Sequence, residues 1–442
     1  MGAIADANAG DINKIGWSRS SRTDKGVHST GTVVSFKCRL HPEWLTDDGQ
    51  LRQSCASDLV GSINDALPAD VRVLCVQRTP KSFQPRRACR VRTYAYLVPG
   101  WVLCPQPDAT APPQHDAQPD EATLARFRDA LRALEGSHPY HNFTSRSVYH
   151  RRRETPAADR RTMIEQRSAQ RAASATARER TGLDAAEAAE LSAAWDEVDA
   201  EASAPDDGNK ERVPKPWELA AAGFSSGELA GWYETRFIED GVEGADRLTP
   251  EHWRRVLDFG VEEVGTDDDG QMYVRVHVRG ESFLLNQIRR MVGLAISVAR
   301  GDAPMAYLEA CLAAPARLYT PTSPSHTLML WDNEFNPYRG PRAKLEEKLE
   351  LTAEGARLRA AFSDAQLMPA MLESLKHDDW GYFDRVLRAF RAFIQDEMAN
   401  GEGRAEPSVR RYTGVCWSPL PAVVKRAQAW HVARAAEKAP RP

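Results

Sequence analysis

The chain has 442 residues, enough for two or three ordinary domains around a sizeable core. Its formal net charge of -4 excludes a globally basic nucleic-acid binder, so any phosphate-binding surface has to come from local clustering. Seven scattered cysteines (Cys38, Cys55, Cys75, Cys89, Cys104, Cys311 and Cys416), with no Cys-x-x-Cys pair, argue for reduced thiols and against a disulfide framework or a structural zinc site.

In chain order, Met1 to Asn13 has neither the basic-then-apolar layout of a secretory signal nor a transit-peptide pattern. Arg22-Thr23-Asp24-Lys25-Gly26-Val27-His28-Ser29 follows as a short polar turn, and Gly31 to Phe36 reads as a strand leading away from it. Leu59, Ile63 and Leu67 recur at helical spacing, and Val71 to Val76 reads as a buried strand. Arg92 to Val98 is a strand by composition. A Pro-rich linker runs from Pro105 to Pro119, and Asp120 caps a helix with Leu124, Phe127, Leu131 and Leu134 on its inner face, stopped at Gly136. From about Val148 to Arg212 the composition turns to Arg, Ala, Glu and Asp, an insertion too poor in large apolar residues to offset its chain entropy.

Two candidate helices lie between Trp217 and Phe259, and Tyr273 to Val278 is an alternating strand. A strongly periodic helix then carries Leu284, Ile288, Met291, Val292 and Ala295 on one side and Asn286, Arg289 and Arg290 on the other, and Thr327 to Trp331 closes the core as a strand. Beyond Asp332 the pattern predicts a charged helix near Lys344 to Glu350 and an amphipathic one carrying Phe383, Val386, Leu387, Phe390 and Phe393. No apolar run reaches the roughly 18 residues of a membrane span.

Arginines cluster at Arg86, Arg87, Arg90 and Arg92, at Arg151 to Arg153 with Arg160 and Arg161, and at Arg275, Arg279, Arg289 and Arg290. Asp24 sits between a cation and a glycine, where a carboxylate most often only caps a turn but can also act as a nucleophile or a base. Arg92, Tyr94 and Tyr96 share one face of their strand, a position compatible with core packing or with a site. His138 and His141 have too few thiol partners to indicate a metal.

Four motifs in order, the octet around Asp24, Arg92-Thr93-Tyr94-Ala95-Tyr96, Asn142-Phe143-Thr144-Ser145 and Phe283 to Gly293, resemble the TruA-type tRNA pseudouridine synthases, closest to their eukaryotic branch. The resemblance covers about Gly16 to Trp331. It implies an α+β fold of two similar halves whose antiparallel or mixed sheets, flanked by helices, meet at a central basic cleft. The halves would be 1–104, and 120–147 with 213–332; 148–212 is the insertion and 333–442 a helical extension of unknown role. It also implies an isomerase that turns specific uridines of tRNA into pseudouridine, with Asp24, Tyr94 and Arg289 catalytic. Arg22, Lys25, His28, Arg92, Phe143 and Arg290 would bind RNA. No cofactor and no metal are expected, tRNA is the partner, and a monomer is favoured over a homodimer. Family members carry a first strand and helix before the aspartate loop, so a truncated gene model or a lost element is expected here. The implied compartment is nucleus or cytoplasm, or mitochondrion or plastid if a targeting segment lies upstream. The alternative is an RNA-binding or tRNA-folding factor that keeps the fold without the chemistry.

Overall fold

A six-stranded sheet organises the fold, with strands drawn from widely separated parts of the chain. The computed structural model describes residues 15–38, 40–47, 50–106, 113–144, 235–237, 248–339, 346–400, 418 and 420–438. The strands are β1 (Ser18–Arg19), β2 (His28–Ser29), β3 (Val34–Ser35), β4 (Cys89–Pro99), β5 (Gly136–Pro139), β6 (Thr235–Phe237), β7 (Trp253–Thr266), β8 (Met272–Gly280), β9 (Ala316–Leu318) and β10 (Leu328–Phe335). The main helices are α1 (Gln53–Asn64), α2 (Glu121–Ala133), α3 (Gln287–Ala299), α4 (Met305–Cys311), α5 (Ala353–Phe362), α6 (Met368–Ser374), α7 (Asp378–Asn400) and α8 (Leu420–Lys438).

The central sheet runs in the order β2-β10-β4-β8-β7-β5. Every pair in it is antiparallel except β2 on β10. Mixed α and β content of this kind agrees with the expected α+β class. Because side chains alternate along a strand, Tyr94, Tyr96 and Val98 of β4 share a face with Val274, Val276 and Val278 of β8. That face packs on α2 and α3 through residues such as Phe127, Leu131, Met291, Val292 and Ala295, all 0% exposed. The cap predicted for α2 is present, with the Asp120 side chain accepting from the Thr123 amide at 2.8 Å. On the other face Ala95, Leu97, Tyr273 and Met329 pack against Leu367, Met371 and Leu375, so helices cover both sides of β4.

The C-terminal segment is therefore part of the core. Trp380, Phe383, Phe390 and Phe393 of α7 are at most 1% exposed, and burial of each contributes about 1.5–3 kcal/mol. An ion network fixes the same helix. Arg300, at the end of α3, reaches Asp302 Oδ2 at 2.8 Å and Asp384 Oδ1 at 2.7 Å, and Arg388 closes on Asp384 Oδ2 at 2.6 Å. The Arg300, Asp302 and Asp384 side chains are 0% exposed. Burial outweighs the arginines at Asp302 and pushes its carboxyl up to about 6.

Four expectations differ from the structure. Gly31 to Phe36 yields only the short β3, which pairs with β1 outside the central sheet, so it is β2 that carries the Asp24 loop to the sheet. Val71 to Val76 is extended without a ladder, because the Asn64 side chain takes both backbone groups of Val73, at 2.7 and 2.9 Å. Helices expected up to Phe259 give way to the strand β7 from Trp253 onward. The helix expected near Lys344 to Glu350 is replaced, within the described residues, by a two-residue strand, Glu346–Glu347, paired with Tyr338–Arg339. The insertion at 148–212 lies outside the described residues.

Asp384→Ala leaves Arg300 and Arg388 without their shared carboxylate and is expected to cost about 3–5 kcal/mol. A urea melt checks this, through a lower midpoint at unchanged slope.

Candidate functional site

The segment from Ser20 to Gly31 has little regular structure of its own and is held by contacts distant in sequence. Thr30 and Gly31 amides donate to the Leu330 carbonyl at 2.9 and 3.3 Å, and the Thr30 hydroxyl donates to Trp331 O at 2.9 Å. Asn333 Nδ2 donates to Gly31 O at 2.6 Å and lies 3.1 Å from Ser20 Oγ. His28 Nε2 donates to His326 O at 3.0 Å, which leaves Nδ1 as the acceptor nitrogen; burial lowers the pKa of this half-buried imidazole.

At the tip of the loop the Val27 amide donates to Asp24 O at 3.1 Å. Gly26 has φ +81, and a Cβ there would lie 2.9 Å from Ser325 Oγ and 3.0 Å from the His326 ring. Asp24 is half-buried, while Arg22 and Lys25 are exposed.

Arg92 clamps the start of this loop. Its Nε donates to Ser21 Oγ at 2.9 Å, Nη2 to Ser20 O at 3.1 Å and Nη1 to Glu281 O at 2.7 Å. Two residues along β4, the Tyr94 ring meets Phe283 edge-on, with centroids 5.4 Å apart. Burial pushes the Tyr94 phenol up to about 12, the Arg92 cation opposes the rise, and the Asp24 carboxylate adds to it. The carboxylate and the phenol are thus electrostatic neighbours, and the phenol is neutral at physiological pH.

Phe283 leads into the start of α3. Asn286 takes the left-handed conformation, φ 60, which turns the chain sharply into the helix. Arg289 Nε donates to Ser323 O at 2.7 Å and Nη1 to Asn286 Oδ1 at 3.1 Å, while Ser323 Oγ donates back to Arg289 O at 2.8 Å. Ser323 also lies 2.9 Å from the Tyr96 hydroxyl, which ties the second strand tyrosine to the same corner. Arg290 donates to Thr320 O at 3.0 Å, and its pKa is lowered by burial.

The ring of Phe143, a residue expected to bind RNA, is 0% exposed and packs in the core beside Tyr140, with centroids 5.8 Å apart. The reason is local. Asn142 bonds Cys311 O, Ala316 O and the Leu318 amide, and Thr144 donates to Leu285 O, so both neighbours of Phe143 draw it inward. Arg275 and Arg279, expected in a phosphate-binding cluster, pair with Glu262 at 3.2 Å and with Glu334 at 2.5 Å. Arg86, Arg87 and Arg90 are exposed. A cavity of about 260 Å³ is bordered by Thr93, Tyr94, Ala95, His277 and Trp331, and at its wall His277 Nε2 lies 2.7 Å from Asp258 Oδ2. The arginines at 151–153, 160 and 161 lie outside the described residues.

Residue-type reasoning missed Phe283, Asn286, Ser323 and Asn333. An asparagine immediately before a strongly periodic helix was the one available signal for Asn286. Phe283 stands in the Phe283 to Gly293 motif without any residue-type signal of its contact with Tyr94, and Ser323 and Asn333 act on partners distant in sequence and leave no local mark.

A family model described as tRNA pseudouridine synthase matches residues 242–336. The human protein named pseudouridylate synthase 1 homolog is 24% identical over 379 residues, 84% of this chain and 60% of that protein. The tRNA pseudouridine synthase 1 of Candida glabrata is 25% identical over 341 residues, 76% of this chain and 54% of its own. That of Candida albicans is 38% identical over 104 residues, 24% of this chain and 15% of its own. The chain thus matches about 60% of the length of the human relative.

Gly26→Ala is expected to strain the loop by about 1–3 kcal/mol. Faster amide exchange at Thr30 and Gly31 is the readout, and unchanged exchange contradicts the tight fit.

Proposed function

We propose that this chain, which belongs to the TruA-type pseudouridine synthase family, converts specific uridines of tRNA into pseudouridine, with Asp24 as the nucleophile. The observation that carries the reading is the proximity of the Asp24 carboxylate to a neutral, buried phenol at Tyr94 within a loop fixed from several sides. Pseudouridine formation breaks the bond from N1 to C1′, turns the base within the site and rejoins it through C5. The isomerisation consumes no electrons and transfers no group to or from another molecule, so it calls for no carrier.

A uracil inside the stack is out of reach, so the target nucleotide has to be flipped into the site. Arg22, exposed beside Asp24, would enter the space the base leaves. Asp24 would then attack C1′ or draw off the C2′ proton to give a glycal, with the uracil as leaving group in either case. The Tyr94 ring would stack on the base. Its phenol, neutral up to about pH 12, serves as a proton donor or relay, not as a standing phenolate base. Arg289 would orient Asp24 from the start of α3. Lys25, His28 and the exposed Arg86, Arg87 and Arg90 would bind phosphates, which makes affinity salt-dependent.

Arg92, Phe143 and Arg290 support this site in a different manner. Arg92 uses three donors on Ser20, Ser21 and Glu281, and buried Arg290 donates through Nη1 to Thr320, so we assign them to positioning the loop and the cleft floor. Phe143 would set the depth of that floor from within the core. We further propose that the complete fold comprises two similar halves meeting at a basic cleft, divided as 1–104 against 120–147 with 213–332. The protein would act as a monomer in the nucleus or cytoplasm, or in an organelle if a targeting segment precedes residue 1.

Asp24→Asn is the direct test. Tritium release from tRNA labelled at uridine C5 is expected from the parent chain and is expected to fall to background in the variant, with tRNA affinity within about threefold of the parent. Release at near-parental rate would overturn the nucleophile assignment, and no release from the parent would overturn the activity.

The second test concerns Tyr94. With its phenol pushed up to about 12, the neutral form prevails at all lower pH, so the single-turnover rate should show no upward break from this group between about pH 8 and pH 10. Tyr94→Phe is expected to slow the chemical step by about 10²- to 10⁴-fold while preserving stacking and binding. A break near pH 10 that disappears in Tyr94→Phe would contradict the burial argument.

A further inference from the structure

The ribbon that leads into the Asp24 loop carries an exposed aromatic pair with no part in the steps assigned so far. Strands β1 and β3 pair Ser18 with Ser35 and Arg19 with Val34, so the register places Trp17 opposite Phe36. The two rings stack, with centroids 5.7 Å apart and planes 12° from parallel. Bonds at both ends hold the ribbon closed: the Lys37 amide donates to Ile15 O at 2.7 Å, and the Ser20 amide to Val33 O at 2.8 Å. Alternation then divides it into two faces. Ser18, Ser20, Val33 and Ser35 are buried or half-buried, whereas Trp17, Arg19, Val34 and Phe36 are exposed.

Cross-strand stacking stabilises the ribbon through the faces the two rings share, but it leaves Trp17 53% and Phe36 38% exposed. Clustered apolar rings left in water by their own fold mark a contact surface, and the surrounding charge identifies what it contacts. From Lys14 to Arg39 the sequence has six cationic side chains, Lys14, Arg19, Arg22, Lys25, Lys37 and Arg39, against one carboxylate, Asp24, in a chain whose net charge is -4. Of these cations Arg19, Arg22, Lys25 and Lys37 are exposed. A nucleic acid with an accessible base answers both features, since cations bind its phosphates and a π face takes the base.

We propose that the Trp17–Phe36 stack is a platform for one nucleobase of the RNA substrate other than the target uracil, with Arg19 and Lys37 on the adjoining phosphates. A base inside a duplex has both faces covered by its neighbours, so the platform selects RNA in which a base near the target uridine is unpaired, terminal or displaced. This rests on the reading of the chain as a tRNA pseudouridine synthase and narrows the substrate that reading allows.

The platform is mechanically joined to the site. Trp17 lies about 10 Å along the ribbon from Ser20, at about 3.3 Å per residue. Ser20 and Ser21 are gripped by Arg92, on the strand that also carries Tyr94. A base held on Trp17 therefore fixes the RNA relative to Asp24 from outside the site.

The test is filter binding of the full-length chain to a tRNA substrate in which the nucleotides flanking the target uridine are made abasic one at a time. At one position the abasic change is expected to weaken parental binding about 5- to 100-fold. Trp17→Leu keeps an apolar side chain on the ribbon but removes the π face. It is expected to bind the unaltered tRNA more weakly by the same factor and to be indifferent to the abasic change at that position, with Trp17→Phe between the two and the circular dichroism of both variants matching the parent. A fluorescent purine analogue at that position should be quenched on binding the parent and not on binding Trp17→Leu. Independent losses at every position, or a Trp17→Leu affinity equal to the parent's, would overturn the platform. So would sedimentation showing a parental dimer that Trp17→Leu dissociates, which assigns the face to a second copy. Tritium release measured on the same samples separates the two readings: coupling between Trp17 and one base without release from the parent would uphold the platform and overturn the isomerisation, and release without coupling would do the reverse.

Discussion

The site depends on β10 holding a loop that cannot hold itself. From Ser20 to Gly31 the chain contributes only the two residues of β2 to the central sheet. Its position comes from donors and acceptors about 300 positions away: Leu330 O, Trp331 O, His326 O and the Asn333 side chain. Each such bond has a net worth of only about 0.5–1.5 kcal/mol, so it is their number and their common origin on one strand that fix the loop. Arg92 adds a charged clamp from β4, the strand that also carries Tyr94, so the loop and the aromatic ring are set by the same two strands.

This arrangement also explains the electrostatics. A carboxylate near a buried phenol keeps the phenol protonated, and a nearby guanidinium limits the effect. The guanidinium of Arg92 is engaged with backbone and a serine, so it is an oriented and stationary charge. On α3, Arg289 is held by a left-handed Asn286 and a reciprocal pair of bonds with Ser323. Helix α7 then buttresses α3 through the Arg300 and Asp384 pair, so the C-terminal segment reaches the site through the core.

Much of this was legible in the sequence where a single element carries its own signal. The β4 and β8 strands, the capped α2, the periodic α3 and the apolar face of α7 were all readable because alternation, a cap or a 3.6-residue period is local. The 14-residue β7 was not, since two bulges against β8 break its alternation. Val71 to Val76 has strand composition but spends Val73 on Asn64, a tertiary competition that composition does not record. The apolar stripe of α7 announced burial without saying against what. Among the site residues, Asp24, Tyr94 and Arg289 stood in recognisable motifs. Phe143 did too, yet its neighbours' side-chain bonds to distant backbone turn it inward. Asn333 meets Ser20 and Gly31 only in the folded chain.

The central claim is that the pinned loop presents Asp24 to a nucleotide stacked on Tyr94. A crystal structure of the Asp24→Asn chain bound to a tRNA substrate tests it most directly. The account predicts a uridine turned out of the helix, its base against the Tyr94 ring and its C1′ within about 3–3.5 Å of the residue-24 side chain. A uridine still stacked in the RNA, or one turned out but away from both the Tyr94 ring and the residue-24 side chain, would contradict it.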